Sequence, residues 1–338
     1  MYKTLSTGLK NIIKKSFRKE SLVLMYHRIA EPSIDPWDLC VSPEHFKEQL
    51  EVLNNQYKII PVSELIELKN RFISIDNHIV LTFDDGYEDN YTHAKPLLEA
   101  FQTPACFFIA NDLIDTKREY WWDELEGLLL HAKDLPASLS LSVNGELFTY
   151  KTDPFLRSEL FQYISPDKDV SAIPNLDLYL QLWKRMRPLP FGMQQKILDG
   201  LRKWTGKEKQ NRQGYHCMSG MQLKQMADNK LFEVGVHTVH HPALADHKKE
   251  VQEKELNENI KWLEDITRRR MSYCAYPYGS YNKDTLCIMK ESGFRGGFTT
   301  NPECIKRSSD PYQLGRFQVR NWNGLTFEKQ LKAWLKAY

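Results

Sequence analysis

The stretch VLTFDDGYEDN, residues 80–90, ends an apolar run with two adjacent carboxylates, Asp84 and Asp85, followed by Gly86 and Tyr87. Successive side chains along a strand point to opposite faces. Both carboxylates can face one pocket only if the chain turns there, and Gly86 offers the freedom for that turn. A plain surface turn is the competing reading. A second chemical group lies in GVHTVHHPAL, residues 235–244. His237 and His241 are four apart, so one helical turn would bring both imidazoles to the same side. His237 with His240 is the alternative pair. Two histidines and one carboxylate make a three-ligand, zinc-type site with a position open for water. The combination points to a metal-dependent hydrolase.

The surrounding pattern shows what must position these groups. From residue 21 the sequence alternates buried strands and amphipathic helices: SLVLMYH, then PEHFKEQLEVLNNQY with Phe46, Leu50 and Leu53 on one face, then HIVLTFDD and PACFFIA. It resumes after residue 214 with LFEVGVH, SYCAYPYG and RGGFTT, each strand alternating with a helix. Alternating βα units argue for a parallel sheet or barrel, whose functional groups gather at the carboxyl ends of the strands. Asp84, Asp85 and His237 all fall at such ends, and so does His27. Residues 116–214 break the rhythm and read as a mostly helical insertion, with Asn144-Gly145 marking a hairpin inside it. The expected organisation is a basic amphipathic segment at 1–20, a barrel made of 21–115 and 215–325, the 116–214 insertion, and a closing helix at 326–338.

The 338 residues suffice for one large α/β barrel, and a net charge of +2 gives no reason to expect nucleic acid as a partner. The six cysteines show no paired spacing and sit mostly in apolar runs, which reads as reduced core thiols of an intracellular protein. No signal peptide or membrane-spanning run is legible, so the expected location is cytoplasmic. Residues 1–19 carry six bases and no acid, with Leu9, Ile12, Ile13 and Phe17 at helical spacing. A solvated terminal helix is one reading, and a weak peripheral contact with an anionic membrane is the other.

TFDDG at 82–86, HTVHHP at 237–242 and AYPYG at 275–279 together resemble the motifs of the polysaccharide deacetylases, carbohydrate esterase family 4 with the NodB-type domain. MYH at 25–27 and the order of the pieces resemble the branch with permuted motif order, which includes the deacetylases of biofilm poly-N-acetylglucosamine. The resemblance implies an α/β fold, a distorted (β/α)7 TIM-like barrel. It also implies that Asp84 is the general base, that Asp85, His237 and His241 hold the metal, and that a backbone N–H of Tyr278 helps stabilise the oxyanion. What a divalent ion brings is a water whose pKa falls from about 15.7 towards about 7. Zinc is the first choice, with nickel, cobalt or manganese as alternatives.

Two departures from the family pattern matter. No histidine follows His247, where most relatives place the general acid, so either turnover is lost or the acid comes from elsewhere; resemblance to the permuted branch implies the Tyr26-His27 pair, and the expected acid is His27. Many relatives also carry an arginine three residues before the PY tyrosine, to orient the catalytic aspartate; here Ala275 stands there. Arg316 or Arg320, in GRFQVRNW, could reach in instead. Sugars stack their apolar faces on aromatic rings, so Trp121, Trp122 and Tyr87, with Arg316, are the expected substrate contacts; Trp37 and Trp322 are further candidates. The implied activity is hydrolysis of N-acetyl, or O-acetyl, groups on an amino-sugar glycan or its lipid- or nucleotide-linked precursor. The rivals are a glycan-binding protein that has lost turnover and a metal hydrolase of another bond.

Overall fold

A computed structural model describes residues 20–71, 73–132, 134–153, 173, 175–209 and 211–337. Apart from Glu20, the basic amino-terminal segment and its expected membrane contact lie outside the described residues. No helix among the described residues is long and apolar enough to cross a membrane.

Seven parallel strands build the frame: β1 Glu20–Tyr26, β2 His78–Phe83, β3 Ala105–Ile109, β4 Phe232–Val236, β5 Tyr273–Ala275, β6 Gly296–Phe298 and β7 Phe317–Gln318. Each of β1 to β5 pairs in parallel with the next. Phe298 forms a parallel bridge with Leu314, and Phe317 pairs with Leu24 of β1, so residues 314–318 close the sheet into a barrel. Every strand up to β6 matches an apolar run legible in the sequence, because strands covered on both faces read as nearly continuous hydrophobic segments. The closing strand is the exception. It is two residues long and preceded by a charged residue, Arg316, so no alternation marks it.

The helices begin where their caps dictate. Ser42 accepts from His45 N ahead of Pro43–Gln56, whose buried face carries Phe46, Leu50 and Leu53. Capping boxes start Gly220–Asp228 at Ser219 and Lys283–Glu291 at Asn282. Residues 116–214, read from the sequence as an insertion, contain the helix Trp121–Leu129, the expected hairpin Ser138–Val143 with Glu146–Lys151, and the helices Leu176–Met186 and Phe191–Thr205. Asn144 (φ 53°) and Gly145 (φ 83°) form the hairpin's left-handed, two-residue turn. Trp37 Nε1 donates to Tyr179 Oη at 2.8 Å, which ties this segment to the barrel, and Arg212 pairs with Glu119 at 2.8 Å and Glu126 at 2.9 Å within the segment itself. No disulfide is formed among the described residues; five of the six cysteines are buried and Cys287 is exposed.

Candidate active site

The chain turns directly after β2, and the turn falls on a carboxylate as well as on the glycine. Asp85 has φ 73° and Gly86 φ 89°. Asp84 N donates to Tyr26 O at 3.0 Å, extending the sheet by one residue before the bend. The bend brings the neighbouring carboxylates to one cavity, which both line.

Asp85 Oδ1 lies 3.3 Å from His237 Nε2 and 3.3 Å from His241 Nε2, with all three side chains buried. Tetrahedral coordination at 2.0–2.1 Å places ligand atoms about 3.3 Å apart. Asp85 Oδ1 has no hydrogen-bond partner, which is costly for a buried oxygen unless a cation sits there. The three residues therefore fit a divalent ion. His237 Nδ1 lies 2.8 Å from Ala275 O, an arrangement that leaves Nε2 as the ligand atom. Burial pushes His241 down to about 3, keeping it neutral as a ligand must be. Burial also depresses His237, but Asp84 and Asp85 outweigh it and hold that imidazole above its ordinary value.

The helical turn expected between the two histidines is absent. Thr238 (φ 68°) and His241 (φ 57°) adopt left-handed backbone, and Thr238 Oγ1 accepts from His241 N at 3.1 Å. The same-side placement thus comes from a tight loop, not a helix. That loop is held by the helix Lys249–Thr267: Glu255 Oε2 accepts from Val239 N and His240 N, and Asn259 Oδ1 accepts from His237 N at 3.1 Å. His240 turns away to Glu255 at 2.7 Å, so it does not complete the alternative pair.

Asp84 is gripped by Arg316. Nη1 and Nη2 donate to the two carboxylate oxygens at 2.7 Å each, and Nε donates to Thr299 O at 3.0 Å. Arg316 is 0% exposed. Burial pushes the Asp84 carboxyl up, but the guanidinium and His237 hold it below the usual range, so it stays ionised. Arg316 thereby fills the place that Ala275 leaves, although it was counted among the substrate contacts. Its guanidinium is committed to Asp84, and that correction follows from the fork geometry. Arg320 lies 3.9 Å from Asp38 and lines the cavity wall.

His27, at the end of β1, and Tyr278 line the same cavity of about 610 Å³. Tyr278 (φ 57°) and Gly279 (φ 65°) make a left-handed pair, and the Tyr278 ring lies 4.5 Å from His241. A Cβ at Gly279 would meet Thr300 Oγ1, which requires glycine there. Among the expected aromatic contacts, Trp122 lines the cavity, 4.8 Å from the His241 ring, as do Trp37 and Trp322. Trp121 and Tyr87 do not. Trp121 is buried behind Trp122, and the Tyr87 hydroxyl is spent on Asp123 at 2.7 Å and Trp122 Nε1 at 3.0 Å. Trp183, Arg187 and Trp334 complete the wall without having been singled out in the sequence. A tryptophan within the broken rhythm was the only signal for Trp183, and nothing in the sequence marked Arg187 or Trp334.

Residues 74–130 and 204–297 match the family model described as polysaccharide deacetylase. A curated relative, the poly-beta-1,6-N-acetyl-D-glucosamine N-deacetylase of Staphylococcus aureus (strain MSSA476), is 27% identical over 125 residues, 35% of this chain and 42% of that protein. The chain spans less than half the length of the curated relatives it matches. Among solved structures, Streptococcus pyogenes deacetylase PplD in complex with acetate aligns with TM-score 0.58 at 17% identity, over 94% of this chain and 98% of that one. IcaB from Ammonifex degensii aligns with TM-score 0.57 at 18% identity, over 94% and 97%. At these identities the solved structures establish the shared barrel fold.

Proposed function

Because this chain carries a polysaccharide deacetylase domain, we propose that it hydrolyses acetamido groups on an amino-sugar glycan or its lipid- or nucleotide-linked precursor, with a divalent ion, zinc first, held by Asp85, His237 and His241. The observation that carries this reading is the juxtaposition of two different carboxylates. Asp85 faces two imidazole nitrogens at 3.3 Å, while its neighbour Asp84 is held by an arginine fork and stays off the ligand set. When bound, the ion supplies Lewis-acid activation of a water and polarisation of the acetyl carbonyl.

The protein's own groups do the rest. Asp84, ionised and fixed by Arg316, takes a proton from the attacking water as the C–O bond forms. Negative charge then grows on the carbonyl oxygen, and the left-handed turn at Tyr278 offers its N–H as a fixed donor; one such donor is typically worth about 2.7–4 kcal/mol of barrier. As the C–N bond breaks, His27 gives a proton to the departing nitrogen, so the products are acetate and a free amine. The Arg316 fork weakens the case for a glycan-binding protein without turnover, since the missing arginine at 275 was a main argument for it.

Purified protein reconstituted with zinc should release one acetyl per turnover from N-acetylated amino-sugar oligomers, read by mass spectrometry. Asp84→Asn and His237→Ala should each abolish the release. Unchanged turnover in either variant would refute the assignment. The cytoplasmic placement is also part of this proposal, and recovery of the native protein in an extracellular fraction would overturn it.

A further inference from the structure

Asp84 and Asp85 are the only acids among the described residues lining the cavity, and both belong to the reaction centre. Asp84 is already offset by Arg316 at 2.7 Å. The walls also carry Arg187 and Arg320, the latter 3.9 Å from Asp38, which lies outside the lining. Arg187 comes from the insertion, directly after the helix Leu176–Met186. Its guanidinium stands 5.9 Å from the Trp183 ring and 5.8 Å from the Tyr278 ring, and Tyr278 in turn touches His241. The cationic group is therefore one ring removed from the metal ligands. Its acidic neighbour, Asp246, is 3.8 Å away and outside the cavity lining, too long for a charge-assisted hydrogen bond.

Charge decides which glycan fits such a wall. Each deacetylation turns a neutral acetamide into an ammonium, so a groove that tracks a progressively deacetylated polymer should be lined by acids. This one has the opposite sign. A planar guanidinium with five donors matches a phosphate or carboxylate. Resting on the deacetylase reading above, we propose that the substrate is an N-acetylated sugar bearing an anionic group, phosphate or carboxylate, which Arg187 binds beside the acetamide. The insertion is then the specificity element of the enzyme. It brings Trp122 and Trp183 for the sugar faces and Arg187 for the anion.

The experiment compares kcat/KM and calorimetric binding of the zinc-loaded protein on four probes. A neutral β-linked N-acetylglucosamine trimer is the reference. N-acetylglucosamine 1-phosphate and uridine diphosphate N-acetylglucosamine carry phosphate, and a hyaluronan tetrasaccharide carries carboxylate; these arms separate the sources of the anion. At least one anionic probe should exceed the neutral one by tenfold or more. Arg187→Gln should pull that ratio towards one through KM, and Arg187→Lys should keep most of it. A ratio at or below one in the parent protein, or a ratio that Arg187→Gln leaves intact, overturns the proposal. If no probe loses acetyl yet an anionic probe binds tenfold more tightly than the neutral one, the deacetylase reading falls and the Arg187 anion site stands. Tighter binding of the neutral probe sinks the anion site alone.

Discussion

His27 illustrates how much a single residue's role depends on its leaving group. It lines the cavity at the end of β1, its Nδ1 is buried without a protein partner, and its backbone carbonyl is pinned by Asn90 Nδ2 at 2.8 Å. Nδ1 is therefore left for a partner that the described residues do not supply. An amine leaves poorly unless protonated, so His27→Ala should slow an amide substrate by roughly 10²–10⁴-fold. An acetyl ester, with a better leaving group, should suffer much less. A drop below tenfold on the amide would assign the acid to another residue. Around His27 the site stores backbone strain: Asp85, Thr238, His241 and Tyr278 are all non-glycine residues in left-handed conformation. Each costs about 1–2 kcal/mol, and such outliers persist where surrounding structure over-determines them.

The elements explain what the sequence disclosed and what it concealed. The two aspartates and the first histidine were legible because each ends an apolar run, and strand ends are where parallel folds expose their chemistry. The histidine spacing led to the pair that the structure brings together, but by the wrong conformation, because four-residue spacing suits a helical turn and equally a tight left-handed loop. Arg316 was reachable only as one of two guesses, since its strand is too short to show a period. Tyr87 and Trp121 look as exposed in sequence as Trp122 does, and only packing tells them apart. The helix Lys249–Thr267 has a concealed function of the same kind. Its buried Asn259 accepts from His237 N and donates to Ile109 O at 3.1 Å, tying the histidine loop to β3. Asn259→Leu keeps the size but strands the amide of His237. It should cost about 1–3 kcal/mol in chemical unfolding and weaken zinc binding by roughly 10–100-fold. Zinc affinity equal to that of the parent would show that the loop holds itself.

For the molecule as a whole, a buried ionic layer joins barrel and insertion. Arg28 pairs with Asp89 at 2.9 Å and lies over the Tyr87 ring, whose hydroxyl donates to Asp123. Burial pushes the Asp123 carboxyl up to about 8, against an ordinary value of 3.8. The folded chain therefore favours the protonated form, and the associated stability is complete below 3.8 and is lost as pH rises through about 8. Urea midpoints should accordingly fall between about pH 4 and about pH 8, and Asp123→Asn should flatten that fall. An equal pH dependence in both proteins would place the loss elsewhere. The barrel's closure has a further consequence for how the molecule comes into being. The counter-charge for Asp84 arrives on Arg316, more than two hundred positions later in the chain and beside the strand that seals the ring. Until that segment docks, the carboxylate has no partner, and removing one member of a buried pair typically costs about 3–5 kcal/mol. In the proposed reaction, catalytic competence and completion of the fold are thus a single event, because Asp84 is fixed to take a proton from water only once the ring is sealed.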